Sequence, residues 1–240
     1  TVYGMDLYGR KSLSKLLREL CKISGIRWIR ILYCYPEEID EELIQTIKEE
    51  PKICHYLDLP IQHASDGVLK RMGRRTSKAQ LVEIIGRLRQ EIPDITLRTT
   101  LITGFPGETK EQHEELLEFV DEMEFERLGV FTYSQEEDTP AAGFEDQVEE
   151  EVKEDRQAEI MELQQEIVFE QAESMIGREV LVMIEGKVAD ENAYVGRTYR
   201  DAPNVDGLIF VNTEEELMSG DFARVRVTGA AEYDLIGELI

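Results

Sequence analysis

Three cysteines are the first residues to test for chemistry. Cys21, Cys34 and Cys54 stand 13 and 20 positions apart. No CxxC or CxxxCxxC spacing exists, so the sequence offers no zinc or iron–sulfur ligand set. Cys34 and Cys54 lie in apolar, strand-like runs and read as buried, reduced thiols of a cytosolic protein. No base is recognisable as a partner for Cys34, which argues against nucleophilic catalysis. The string TTLITGFPGET at 99–109 says more. It is an apolar strand running into a glycine turn, where backbone can approach a flat ligand closely. Glu108 and Thr109 then open a helix, placing an acid at the positive end of its dipole. A tight strand-to-helix turn without any ligand satisfies the same residues. No Gly-Lys-Ser/Thr follows, which excludes a nucleotide phosphate loop. Gln62 and His63 end another strand, and Ser65 reads as the cap of the next helix. Arg98 precedes the apolar core of its strand, and a buried arginine needs an anionic partner.

The elements around these residues alternate. Residues 12–23 carry leucines at helical spacing, and Gly25 stops that helix. Strands are predicted at 29–35, 55–62, 96–102 and 128–133, and helices at 40–49, 66–72, 77–91 and 110–123. The strands read as apolar throughout, as in a parallel sheet buried on both faces. In such α/β folds ligands sit at the C-terminal strand ends. Here those ends are Tyr33-Cys34-Tyr35, Gln62-His63-Ala64-Ser65, Thr103-Gly104-Phe105 and Tyr133-Ser134. Residues 145–173 hold 12 acidic and 2 basic side chains in a helical period, which predicts one long amphipathic helix connecting two domains. After Gly177 come five short β-type segments at 179–185, 193–199, 207–211, 221–228 and 233–240. They predict a small closed barrel of the OB type.

The whole chain has 27 Lys and Arg against 51 Asp and Glu, a net charge of −24. That balance repels phosphate backbones and favours a basic protein partner, so direct RNA binding is disfavoured. The barrel segment alone carries 6 basic and 13 acidic residues, the wrong sign for an RNA groove despite its aromatics. No apolar run approaches the roughly 20 residues that cross a bilayer, and a cytoplasmic location is expected. The first residues are no signal peptide. They read as the end of a strand, so a preceding segment is expected.

Asp58-Leu59-Pro60-Ile61-Gln62-His63-Ala64-Ser65, Val68-Leu69-Lys70-Arg71-Met72 and the Gly-Phe-Pro-Gly-Glu-Thr turn at 104–109 closely resemble the radical-SAM methylthiotransferases. Phe131-Thr132-Tyr133-Ser134, Thr139-Pro140-Ala141-Ala142 and Asp146-Gln147-Val148 continue the match in order. The last 65 residues look like the family's TRAM domain. One branch of the family modifies tRNA adenosine; the other modifies an aspartate of small-subunit ribosomal protein S-twelve. Gln62-His63-Ala64-Ser65, the acids after Ser134, Gly196-Arg197-Thr198-Tyr199-Arg200-Asp201-Ala202-Pro203 and the closing Glu232-Tyr233-Asp234-Leu235-Ile236-Gly237-Glu238 resemble the ribosomal-protein branch.

The resemblance implies a partial radical-SAM (β/α) barrel over 1–144, with at most the tail of its second strand at 1–3. An acidic linker helix over 145–175 and a TRAM barrel over 176–240 would follow. It implies S-adenosyl-L-methionine, two 4Fe–4S clusters in the intact protein, a sulfur donor, and the basic protein S-twelve as partner. S-adenosylmethionine would be cleaved to a radical that takes hydrogen from the aspartate β-carbon. The cluster ligands are absent from this chain, which is therefore expected to be inactive alone. A tRNA-modifying homologue and a non-catalytic module that recognises a ribosomal protein are the alternatives. By resemblance Ile102, Gly104 and Glu108 lie against the adenine. Gln62 and His63 contact S-adenosylmethionine or the target, with a satisfied core histidine an equal reading for His63. Arg98 pairs with the S-adenosylmethionine carboxylate or forms a structural salt bridge. Asp201, Asp206, Asp221 and Asp234 mark the expected docking surface for the basic substrate. No residue is assigned to catalysis.

Overall fold

The computed structural model describes residues 2–240. It divides into two compact units between Gln164 and Gln165. The first unit opens with α1 (Met5–Tyr8) and α2 (Leu13–Cys21). It continues through β1 (Ile29–Ile31), α3 (Glu41–Glu49), β2 (Ile53–Asp58), α4 (Asp66–Arg71) and α5 (Lys78–Glu91). After these come β3 (Thr96–Thr103), α6 (Lys110–Met123) and β4 (Arg127–Thr132). The strands form one sheet in the order β1-β2-β3-β4, every pair parallel. This is the parallel α/β sheet the sequence predicts.

Local chemistry explains the helix starts. The Asp40 side chain accepts from Leu43 N–H at 2.9 Å to begin α3. Ser77 with Gln80, and Thr109 with Gln112, close reciprocal capping boxes on α5 and α6. Each such cap is worth about 1 kcal/mol. Ser65 occupies the cap position of α4, but its side chain makes no capping bond. The helices bury Ile44, Ile47, Leu81, Ile85, Leu88, Leu116 and Phe119, each side chain contributing roughly 1.5–3 kcal/mol by leaving water.

Three expectations need correction. β3 is not buried on both faces: from Leu97 on, its residues alternate, with Leu97, Thr99, Leu101 and Thr103 fully buried and Arg98, Thr100 and Ile102 half-buried. One side of β3 is therefore partly open, whereas β2 buries neighbouring Tyr56 and Leu57 and is covered on both faces. The first strand stops at Ile31 rather than at residue 35, because Tyr33 adopts a left-handed backbone at φ +62°. Of the strand tail expected at 1–3, Thr1 lies outside the described residues. Val2 and Tyr3 precede α1 without forming a strand.

The single long helix is α7 (Glu150–Ser174). Its buried positions include Ile160, Ile167 and Val168, but also Lys153 and Gln164. The buried face is therefore not purely apolar. The second unit continues into β5 (Glu179–Lys187), β6 (Ala193–Arg197), β7 (Ile209–Asn212), β8 (Phe222–Ala231) and β9 (Asp234–Leu239). They close a barrel in the order β5-β6-β7-β9-β8, with β7 and β9 the parallel pair. Alternate residues point inward, so Val182, Ile184, Tyr194, Ile209, Val211, Val225 and Val227 fill its core.

Candidate functional site

Most of the predicted residues lie toward the C-terminal end of the first unit's sheet, with Arg98 near the start of β3, and they separate into two layers. Arg98, Thr100 and Ile102 share the open side of β3. In the register of parallel strands Arg98 stands beside Asp58 and Arg127, and Ile102 beside Phe131. Phe131 is 59% exposed. Arg98 donates to both carboxylate oxygens of Asp58 at 3.2 Å and to the Thr100 hydroxyl at 3.3 Å. Its anionic partner is therefore within the chain, the structural member of the two roles the sequence allowed. Gln62 lies just past β2 with φ +71°. Its N–H donates to Thr100 O at 2.9 Å, and its carbonyl accepts from Ile102 N–H at 2.8 Å. Those two bonds make Gln62 the register partner of Leu101, between Thr100 and Ile102. A non-glycine residue in that conformation costs on the order of 1 kcal/mol or more, which the two bonds offset.

His63, Gly104 and Glu108 form a closed layer behind. Glu108 is 5% exposed. One of its oxygens accepts from Gly104 N–H at 2.8 Å and Phe105 N–H at 3.3 Å; the other accepts from Arg156 at 2.8 Å. The carboxylate thus serves the turn at 104–105 rather than an external ligand. Burial by itself would push the Glu108 carboxyl up, but His63, Arg156 and the Gly104 N–H together hold it below the usual carboxylate range. His63 is fully buried, and its Nδ1 accepts from Ser65 N–H at 2.9 Å. Its Nε2 faces Glu108 across 3.6 Å, close enough to act on the carboxylate electrostatically though beyond hydrogen-bond length.

Gly104 has φ +68°, and a Cβ there would overlap the side chain of Lys153. The close approach expected of a flat ligand is made by that lysine. Gly107, at φ +78°, would meet Asp146 and Arg71, whose ion pair closes at 2.7 Å over it. Phe105 packs edge-on to Tyr133 and Phe144, with ring centroids 5.2 and 6.3 Å apart. Both glycines and the phenylalanine between them are thus explained by packing inside the chain.

For a flat, amphipathic cofactor such as S-adenosylmethionine the open side of β3 is a fitting surface. It offers apolar Ile102 and Phe131 next to polar Thr100. The Tyr133 hydroxyl, buried without a hydrogen-bond partner, belongs to an apolar cluster that Ile102 packs against. An iron–sulfur cluster finds no such fit. Among the described residues no group of three or more His, Cys, Asp or Glu side chains could hold a metal ion. Cys34 and Cys54 are buried. Burial pushes the Cys34 thiol up to about 11, in line with a structural thiol.

In the barrel the four aspartates serve their own loops. Asp201 is 3% exposed and accepts from the Thr198 hydroxyl at 2.8 Å, so its carboxylate is engaged within its own loop. Asp206, Asp221 and Asp234 are half-buried and accept from Ala202, Met218 and Leu208 N–H at 2.7–2.8 Å. Short acidic side chains beside turns commonly cap them, a signal the sequence held and net charge obscured. Lys153 and Arg156 were missed as site residues. They are the two basic side chains among the twelve acids of 145–173. The sequence places Tyr33 at a strand end, but nothing in it announces the left-handed backbone and 59% exposure.

Residues 2–120 match the radical SAM superfamily and residues 176–240 the TRAM domain. Among curated proteins the chain is 67% identical, over 99% of its length, to ribosomal protein uS12 methylthiotransferase RimO of Lachnoclostridium phytofermentans. It is 50% identical over its full length to the protein of that name from Desulfitobacterium hafniense, and 52% to that of Acetivibrio thermocellus. These matches cover 54%, 54% and 53% of the relatives. The chain therefore spans about half the length of the curated relatives it matches.

Proposed function

Because this chain belongs to the radical-SAM methylthiotransferase family, we propose that it is the C-terminal part of an enzyme that joins a methylthio group to the β-carbon of an aspartate in ribosomal protein uS12. The observation that carries this reading is a likeness to uS12 methylthiotransferases that runs through both the parallel sheet and the barrel. Functionally the chain would divide into a sheet part at 1–144, a connecting helix at 145–175 and a TRAM barrel at 176–240.

Gln62 and Ile102 would meet S-adenosylmethionine on the open side of β3, with Arg98 held beside them by Asp58. His63, Gly104 and Glu108 would support that surface from behind. When bound, S-adenosylmethionine supplies this family with a radical able to take hydrogen from the aspartate β-carbon. The chain's own part is to present a shaped surface whose charges are paired internally. With no cluster ligand set of its own, it is expected to be inactive alone; the intact enzyme would hold two 4Fe–4S clusters and draw on a sulfur donor.

A net charge of −24 supports a basic protein partner in the cytoplasm over a nucleic acid. No helix among the described residues is long and apolar enough to cross a membrane. The test is binding of this chain to purified uS12 and, separately, to bulk tRNA, each across a salt series. Salt-sensitive binding to uS12 without binding to tRNA is the expected result. Binding to tRNA without binding to uS12 would instead favour the tRNA-modifying branch.

A further inference from the structure

We infer that Lys153 and Arg156 are positioning residues: from one face of α7 they hold the turn at 104–108 and the ends of β3 and β4 in the shape that a ligand on the open side of β3 would meet. The ligand half of this statement rests on the reading above; the clamp itself rests on geometry alone.

Lysine is almost never fully buried unless it is paired. Lys153 is 7% exposed. Its Nζ donates to the carbonyl of Tyr133, at the end of β4, at 3.1 Å and to Glu150 at 2.9 Å. Its alkyl stem lies over Gly104, and its carbonyl accepts from the Thr103 hydroxyl at 3.3 Å. One residue thus grips two neighbouring strand ends.

Arg156 sits one helical turn further on. It donates to the carbonyl of Glu108 at 3.2 Å and to the Glu108 carboxylate at 2.8 Å. The other carboxylate oxygen holds Gly104 and Phe105 N–H. A continuous path of charge-assisted bonds therefore runs from α7 through Glu108 into the glycine turn. Gln157 and Gln164 extend the grip along the sheet, donating to the carbonyls of Val130 at 2.6 Å and Phe125 at 2.7 Å. A helix joined only to fill space has no need of four side chains aimed at strand and loop groups.

The bonds Ile102 N–H to Gln62 O and Gln62 N–H to Thr100 O join the segment after β2 to β3 two residues before the turn. If the clamp sets the open side of β3, loosening it must reach those two amides.

The experiment is site-resolved amide hydrogen exchange on the full chain in Lys153→Met, Arg156→Gln and Arg156→Lys. Lys153→Met keeps the stem over Gly104 and removes the ammonium. Arg156→Gln is expected to speed exchange about tenfold at Gly104, Phe105, Ile102 and Gln62. Lys153→Met is expected to do so at Tyr133 as well. Ile85 and Leu88, in α5, should stay unchanged, and Arg156→Lys should restore part of the protection. Acceleration confined to Gly104 and Phe105 would reduce the pair to a cap on the turn and overturn the inference. Equal acceleration at Ile85 and Leu88, or none anywhere, would overturn it too. No ligand enters the measurement, so a failure to bind uS12 leaves its outcome untouched.

Discussion

Lys153 lies across Gly104 so closely that a single added methyl group at Gly104 would overlap its side chain. Gly104 is also left-handed, at φ +68°. Sterics therefore demand glycine twice over. Gly104→Ala is expected to cost about 2–4 kcal/mol, from backbone strain and overpacking together. Adding Lys153→Ala should recover the overpacking share, so the double mutant will be more stable than the sum of the singles. Urea unfolding of the four proteins measures that coupling.

Glu108 gives the fold a specific acid sensitivity. Its folded-state carboxyl titrates below its ordinary value, held there by His63, Arg156 and the Gly104 N–H against the opposing effect of burial. The stabilisation it contributes is fully present above the unfolded value of roughly 4.3. It is lost as pH falls from there through the depressed folded value. Unfolding free energies of wild type and Glu108→Gln, measured between neutral pH and pH 3, should differ most at neutral pH and converge in acid. A constant difference across that range would contradict this account.

Asp58 and Arg98 should behave as one unit. The pair is part-buried, with side chains 13% and 16% exposed. Removing either partner leaves a poorly solvated charge, so Asp58→Asn is expected to destabilise by about 1–3 kcal/mol. Replacing both with neutral side chains should cost less than the sum of the two singles. A double-mutant cycle on unfolding free energy tests this, and strict additivity would mean that the pair is not coupled.

Helices with a capping residue and a clear apolar period were legible almost to the residue, as at α5 and α6. Their starts are set locally by Ser77 and Thr109. The barrel was legible because short apolar alternations between turn residues leave few other folds. Strand ends were less so: Tyr33 is left-handed without being glycine, and nothing local announces that. The one-sided burial of β3 was missed because Thr99 and Thr103 are buried and Ile102 is half-open, so residue type misstates side. At the site, the positions of Gln62 and Ile102 near C-terminal strand ends, and of Arg98 early in its strand, are legible in the sequence. The partners of Gly104 and Glu108 are not, because Lys153 and Arg156 arrive from almost fifty residues away and look like stray cations in an acidic helix.

Asp201 separates a loop cap from a docking contact. Its carboxylate accepts from Thr198 and is shielded from solvent. Asp201→Asn is expected to lower the stability of the barrel by about 1 kcal/mol. Binding to uS12 should remain unchanged. A selective loss of uS12 affinity with unaltered unfolding would return Asp201 to the interface.

The most direct test of the proposed function is a chimera. This chain would replace the matching half of the Lachnoclostridium phytofermentans relative, and the chimera would be produced in cells lacking their own uS12 methylthiotransferase. Intact-mass analysis of uS12 then reads the outcome. uS12 is expected to gain one methylthio group and tRNA adenosine none. A folded chimera that leaves uS12 unmodified, or places the group on tRNA, would contradict the proposed function.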